Sequence, residues 1–242
     1  FSRPSLDCPE RDEAVWQTLS TNNSFENESD VVLAALAECR DRLEADGVDL
    51  SAYDTVANAA DIADIRVSMG IDEWALWSGS YGALLAQEVM RSQPEGVSAV
   101  VLDSPLAPDE TDADRRIQVT DRVFDVLFTG CEESPECDAA YPDLRDRFAA
   151  TLQAYNDTPF EATISDPDGN PRDVVMTGGE LLGGAFTMMY NTDQIPSMPA
   201  VIELMEQRSP VLQRGFESGF AFLFNTAEAM YISVECRDRF HD

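Results

Sequence analysis

The chain has 242 residues, of which 44% are apolar and 9% aromatic, so it is long and apolar enough for a buried core and unlike a disordered segment. Its 16 basic residues, all of them arginine, stand against 46 acidic residues and leave a net charge of −30, which argues against nucleic acid and anionic lipid as partners. No apolar run approaches the ~18 residues of a membrane-spanning helix.

The first part of the chain predicts a loop followed by two helices. Residues 1–28 are rich in Ser, Asn, Pro and Glu and are interpreted as a loop. Ser29 is the predicted N-cap of a helix over about 30–45, and a second helix is predicted over 55–69. The second helix has one apolar side, formed by Val56, Ala59, Ala60, Ala63 and Val67.

Two predicted strands flank a third helix. "WALW" at 74–77 and "VSAVVLD" at 97–103 are interpreted as buried strands, the second being continuously apolar like parallel strands covered on both faces. Between them the pattern is helical from about residue 83 and stops before Pro94. This order of helix, strand, sharp turn, helix and strand predicts a doubly wound α/β unit with a parallel sheet.

After Pro105 the pattern becomes mainly helical. Residues 111–156 predict helices, 160–177 predict a β-hairpin around a Pro/Asp/Gly/Asn turn, and helical patterns resume at Gly178. We therefore predict an α/β part over 1–105 and a mainly helical part with one hairpin over 106–242.

Ser80 lies in the turn between the predicted strand and helix, in the sequence "SGSYG". The nucleophile elbow of α/β-hydrolases has the pattern G-x-S-x-G, because a sharp strand-to-helix turn leaves room only for small residues two positions on either side. Here those neighbours are Ser78 and Gly82, so the first glycine is replaced by a serine. The pattern predicts a nucleophile; the alternative is a turn whose small residues serve packing alone.

Partners for such a serine are scarce. The one histidine, His241, is the penultimate residue, and a chain end is a poor place for the precise geometry of a catalytic base. Asp103, at the end of the second strand, is a possible acid partner, although a solvated aspartate at a strand end is the commoner case. We expect the true base to lie elsewhere.

The chain has five cysteines, for which two disulfide pairings are plausible and one cysteine is left without a partner in the sequence. Cys131 and Cys137 bracket a short loop that a local disulfide could close, and Cys8 and Cys39 flank a polar insertion; both pairings suit an exported protein. The alternative is a set of reduced, unrelated thiols. Cys236 is left over, and its partner is expected beyond Asp242.

Other motifs predict neither a metal site nor a cofactor site. The sequence "DPDGN" at 166–170 has its glycine in the fourth place, where a calcium loop needs it in the sixth, so a hairpin turn is predicted. "TGGELLGG" lacks a preceding strand and the lysine of a phosphate-binding loop.

Three stretches together resemble the tripeptidyl-aminopeptidase and proline-iminopeptidase branch of the α/β-hydrolases. They are "SRPSLDCPE", "YDTVANAADIADIRVSMGIDEWALWSGSYGALLAQEVMRSQPEGVSAVVLDSP" and "CEESPECDAAYPDLRDRF". The resemblance implies a partial α/β-hydrolase core with Ser80 as nucleophile and the Tyr81 backbone N–H in the oxyanion hole. It also implies a helical cap after Pro105, export from the cell, and disulfides in the two cysteine pairs.

The resemblance also implies parts that this chain lacks. The family's oxyanion segment would precede Phe1, and its catalytic Asp and His would follow Asp242. We therefore expect the chain to be the middle of a longer enzyme and to be inactive alone, because loss of triad members lowers rates by orders of magnitude. In the acidic cap, Glu235 or Glu228 could pair with the ammonium group of a substrate.

The leading interpretation is a serine exopeptidase that releases short N-terminal pieces from peptides. A carboxylic-ester hydrolase on the same fold is the close alternative, and a non-catalytic relative or acidic binding module is a third. The expected partner is a peptide or small ester, with no metal or organic cofactor. The charge further predicts a salt-loving or marine bacterial source.

Overall fold

The computed structural model describes residues 4–22, 25–107, 112–211, 224 and 227–239. The chain forms two compact units, each built from separate segments. The first comprises Phe1–Cys8, Cys39–Asp112 and Ala227–Asp242, and the second comprises Pro9–Glu38 and Ala113–Thr226. The predicted division into domains 1–105 and 106–242 concerns parts that fold independently, and it stays a prediction.

The first unit contains the predicted alternation of helices and strands. Its elements are α3 (Thr55–Ser68), β1 (Trp74–Gly79), α4 (Tyr81–Ser92), β2 (Val97–Asp103) and α10 (Glu228–Arg239). β1 and β2 pair in parallel, with Trp77 opposite Val101 and Gly79 opposite Asp103. The predicted mixed α/β class and the parallel pairing are therefore confirmed.

The prediction that both strands are buried, the second of them on both faces, is wrong. Residues along each strand alternate between half-buried and exposed for most of its length, and the neighbouring side chains of Trp77 and Val101 are 79% and 55% exposed. α4 packs against both strands and buries Ala83 and Ala86, so it covers one face of the sheet. The expected apolar side of α3 is likewise only partly buried, since Val56 is exposed while Ala59 is not.

A small core in the first unit holds the N-terminal segment. Cys8 and Cys39 form a disulfide with their Cα atoms 5.4 Å apart, and both are buried with Leu6 and Leu43. The backbone N–H of Ala229 donates to the carbonyl of Leu6 over 3.1 Å, which ties α10 to this segment. The predicted Cys8–Cys39 pairing is confirmed.

The predicted loop over 1–28 is wrong, because it contains helix α1 (Pro9–Leu19). Proline suits the first helical position. The negative charges of Glu10 and Asp12 in the first turn interact favourably with the positive N-terminal end of the helix dipole. The burial of Trp16 then stabilises the helix. α2 (Phe25–Ala45) also begins earlier than predicted, so Ser29 lies inside it and is not its N-cap.

The second unit is helical except for one hairpin. Its further elements are α5 (Asp112–Glu132), α6 (Pro135–Ala140), α7 (Leu144–Asp157), β3 (Phe160–Ser165), β4 (Pro171–Met176), α8 (Gly178–Met188) and α9 (Met198–Glu206). β3 and β4 pair antiparallel, which confirms the predicted hairpin. The helical prediction also extended over 212–223, which lies outside the described residues.

The core of this unit is aromatic at one end. Phe124, Phe128 and Phe148 pack with ring centroids 5.2 to 6.0 Å apart. Beside them, Cys131 and Cys137 form the second predicted disulfide, with Cα atoms 5.1 Å apart. Both disulfides are compatible with an exported protein.

Candidate active site

The turn from β1 into α4 places Ser80 in an unusual backbone conformation. Its φ of 53° and ψ of −127° lie in a region that residues with a side chain rarely occupy. Such a conformation costs about 1–3 kcal/mol and persists only when surrounding structure holds it. It turns the chain sharply from strand to helix and leaves Ser80 exposed.

Small residues on both sides make this turn possible. A Cβ atom built on Gly82 would lie 3.7 Å from the Cβ of Ser78, an ordinary contact that a larger residue at 78 would crowd. The Ser78 hydroxyl donates to the carbonyl of Val101 over 3.1 Å. Serine thus fits the place where the elbow pattern has its first glycine.

The Ser80 hydroxyl makes no hydrogen bond to any residue in the described ranges, while its backbone is well held. The N–H of Ser80 donates to the carbonyl of Asp103 over 3.1 Å, and the carbonyl of Ser80 accepts from the N–H of Ala83 over 2.9 Å. Although Ser80 occupies the N-cap position of α4, its side chain does not cap the helix. The hydroxyl is therefore free to meet a ligand.

Tyr81 is the first residue of α4, so its backbone N–H has no carbonyl one turn earlier in the helix to bond. The N-terminal end of a helix carries a partial positive charge, which favours an anion there. This N–H therefore has the chemistry that an oxyanion hole requires.

Sequence reasoning missed the environment of the Tyr81 side chain. Its hydroxyl lies 2.8 Å from Thr55 Oγ1 and accepts a hydrogen bond from Asn58 Nδ2 over 3.0 Å. Thr55 in turn donates from Oγ1 and from its backbone N–H to the carboxylate of Asp238. The local signal was the helix start at Asp54, whose side chain caps α3, but nothing in the sequence pointed to Asp238.

Of the other predicted residues, Asp103 contacts Ser80 through its backbone carbonyl and not through its carboxylate. The carboxylate of Asp103 is exposed and accepts from the Ser104 hydroxyl over 3.0 Å. Glu228 and Glu235 both lie on α10, so their pairing with a substrate stays a prediction. His241 lies outside the described residues.

The remaining motifs have structural roles where they are described. Residues 166–170 form the hairpin turn, as predicted, and Thr177 with Glu180 forms a capping box at the start of α8 in the glycine-rich segment. Within the described ranges no group of three potential metal ligands occurs. None of the helices described there is long and apolar enough to cross a membrane.

The second unit has a groove of its own. It has a volume of about 570 Å³ and a mainly apolar lining that includes Val123, Val126 and Ile195. It contains none of the predicted site residues.

Comparison with known proteins adds no relative: the chain matches no protein-family model and none of the curated proteins.

Proposed function

We propose that Ser80 is the nucleophile of a serine hydrolase built on an α/β-hydrolase core. The observation that supports this most is the strained backbone of Ser80, which presents an unbonded hydroxyl at the start of a helix. A positive φ alone does not distinguish Ser80, since Asp143 has a φ of 54° in the left-handed helical region, but the ψ of −127° places Ser80 outside that region, in a conformation that is costly for any residue other than glycine.

In the proposed reaction, Ser80 Oγ attacks the carbonyl carbon of the substrate while a general base takes the hydroxyl proton. The carbonyl oxygen becomes an oxyanion, to which the Tyr81 N–H donates. Collapse of the intermediate expels the amine or alcohol, which receives the proton from the base, and leaves an acyl group on Ser80. Water then hydrolyses this ester by the same steps. The base and the carboxylate that orients it are the other two members of the proposed triad.

The preferred substrate is a peptide with a free amino terminus, from which a short N-terminal piece is released. The excess of carboxylates supports recognition of an ammonium group, and Glu235 and Glu228 are the proposed partners. The two disulfides support export. A carboxylic-ester hydrolase is the alternative, because one nucleophile elbow serves both chemistries.

The first test is covalent labelling of the natural full-length gene product with a fluorophosphonate. We expect one phosphonyl adduct, located by peptide mass spectrometry at Ser80 and absent from Ser80→Ala. Ser104→Ala is the matched control, since Ser104 is also exposed, follows a strand and has a φ of 52°, yet is expected to leave labelling intact. An unlabelled parent protein would favour the non-catalytic interpretation.

The substrate class needs a second comparison with the same protein. We expect kcat/KM to be higher for aminoacyl anilides with a free amino group than for short acyl esters. The reverse order would favour the esterase. If carboxylates bind the substrate's ammonium group, acetylation of the free α-amino group of the aminoacyl anilide should abolish turnover.

A further inference from the structure

The Tyr81 side chain is the centre of a hydrogen-bonded chain that joins three helices of the first unit. Tyr81 begins α4, Thr55 and Asn58 lie in the first two turns of α3, and Asp238 lies on α10. The Oγ1 of Thr55 is 2.5 Å from Asp238 Oδ2, and the backbone N–H of Thr55 donates to Asp238 Oδ1 over 3.1 Å. Thr55 is only 6% exposed, so the middle of this set of hydrogen bonds is shielded from water.

The chemistry of the groups determines the direction of these hydrogen bonds. An ionised carboxylate only accepts, so the single hydroxyl proton of Thr55 goes to Asp238. The Tyr81 hydroxyl must then donate to Thr55 Oγ1, and its own oxygen accepts from the amide of Asn58. Every donor thus has one acceptor, from Asn58 through Tyr81 and Thr55 to Asp238. Chains with a consistent direction polarise and strengthen their members.

Ser80 precedes Tyr81 in sequence, and its backbone conformation needs a restraint from outside the residue itself. An exposed residue with a φ of 53° relaxes toward ordinary values unless its neighbours prevent it. On the strand side, the hydrogen bond from the Ser80 N–H to Asp103 holds the backbone. On the helix side, the anchored Tyr81 side chain restrains the first residue of α4.

We propose that Tyr81 is a positioning residue of the active site, acting through Thr55 and Asp238. By holding the start of α4, its hydroxyl sets both the direction of the Ser80 Oγ and that of the Tyr81 N–H toward the oxyanion. The role in chemistry rests on the proposed function of Ser80, whereas the anchoring of the turn does not. A misplacement of about 1 Å can lower a rate about 100-fold, so small relaxations at this turn matter.

The test compares three variants of the natural full-length gene product. Tyr81→Phe removes only the hydroxyl oxygen, and Thr55→Val replaces the hydroxyl of Thr55 by a methyl group of similar size. Thr55→Ser is the matched control because it keeps the hydroxyl. Two quantities are measured: the second-order rate of Ser80 phosphonylation, and hydrogen exchange of the peptide that covers 79–86.

We expect Tyr81→Phe and Thr55→Val to react about 10- to 100-fold more slowly than the parent and to exchange faster over 79–86. Thr55→Ser should recover most of the rate and the protection. Circular dichroism and Tm of each variant show whether the fold is retained. In steady-state kinetics the loss should fall on kcat with KM little changed, which a general loss of stability would not produce.

The outcomes separate this inference from the proposed function. If the parent reacts at Ser80 and both hydroxyl-deleted variants react equally fast, the positioning role is overturned and the nucleophile stands. If the parent does not react, the proposed function fails and the role in chemistry fails with it. In that case hydrogen exchange still tests whether the Tyr81 hydroxyl anchors the turn. Unchanged exchange over 79–86 in Tyr81→Phe overturns the anchoring, and faster exchange supports it.

Discussion

Gly178, the first residue of α8, has no space for a side chain. Its N–H donates to Asn156 Oδ1 over 2.9 Å, which brings α8 close to α7. A Cβ atom at this position would lie 2.3 Å from the carbonyl oxygen of Leu152 and 2.9 Å from Asn156 Oδ1. Because the first of these atoms belongs to the backbone of a helix, α8 itself would have to move.

We expect Gly178→Ala to lower the free energy of unfolding by about 1–3 kcal/mol, the usual cost of forcing extra volume into a packed site. Gly183→Ala is the matched control in the same helix, since no atom lies within 4 Å of a Cβ at Gly183. Alanine there should be neutral or stabilise the protein by up to about 1 kcal/mol, because it favours helix more than glycine does. Urea unfolding measures both, and equal stabilities would contradict the expectation.

The site residues that could be predicted from sequence are those that one turn brings together. Ser80, Tyr81 and their small neighbours lie within five consecutive residues, so strand, turn and helix patterns were enough to locate them. Thr55 and Asp238 are 183 residues apart, and their contact depends on how α10 packs beside α3. Local patterns contain no information about such a packing.

At the level of elements, the β3–β4 hairpin is held at its turn by one buried carboxylate. Asp166 accepts hydrogen bonds from the Asn170 N–H over 2.7 Å, the Asp168 N–H over 3.1 Å and Arg172 Nε over 3.2 Å. Arg172 also pairs with Glu13 of α1 over 3.1 Å. The turn therefore connects the hairpin to a helix that lies far from it in sequence.

These contacts make the hairpin sensitive to acid. Burial opposes the ionisation of Asp166, but the hydrogen bonds from Asn170, Arg172 and Asp168 outweigh it and hold the pKa of this carboxyl below its usual value. A group whose pKa is lower in the folded state stabilises the fold above its unfolded value of about 3.9. That stabilisation is lost as the pH falls through the lower, folded value.

We expect Asp166→Asn to lower Tm by a few degrees at neutral pH, because it removes the charge from this network. The difference in Tm between parent and variant should begin to narrow below about pH 4, because the Asp166 carboxyl of the unfolded parent then takes up a proton, and it should close only below the lower pKa of the folded carboxyl. Asp168→Asn is the control, since Asp168 contributes only its backbone N–H to the turn. A difference in Tm that stays constant down to pH 3 would assign the loss to shape instead of charge.

Two errors made from sequence at this level have physical causes. α1 was missed because its polar residues outnumber its apolar ones, and its helical start depends on Pro9 and on the burial of Trp16 against distant residues. The strands were expected to be buried because their apolar residues are continuous. Their burial in fact depends on what packs on each face, and α4 covers only one of them.

For the whole molecule, the net charge of −30 outweighs the pairing of individual charges. Arginines in the described ranges pair at the surface, as Arg145 does with Asp125 over 2.8 Å and Arg91 with Glu88 over 2.7 Å. Each such pair contributes about 0–1 kcal/mol to stability, so the screening of these attractive pairs by salt costs little stability. The repulsion among the excess carboxylates is spread over the surface, and salt relieves all of it.

We expect Tm to rise as NaCl increases from 0.01 M to 1 M, while the Debye length falls from about 30 Å to about 3 Å. KCl at the same ionic strength is the control, since screening depends on ionic strength and not on the cation. A Tm that stays flat in both salts would contradict the expected salt-loving character.

The exposure of Trp77 gives each unit its own optical probe. The chain has three tryptophans, and Trp77 on the sheet of the first unit is 79% exposed, whereas Trp16 in the second unit is 6% exposed and stacked on Phe224 at 4.4 Å. A neutral quencher such as acrylamide therefore suppresses Trp77 emission first, while iodide would be repelled by the negative surface. Replacing Trp74 and Trp16 by phenylalanine leaves fluorescence from the first unit only. Replacing Trp74 and Trp77 leaves fluorescence from the second, so the two units can be followed separately as they unfold.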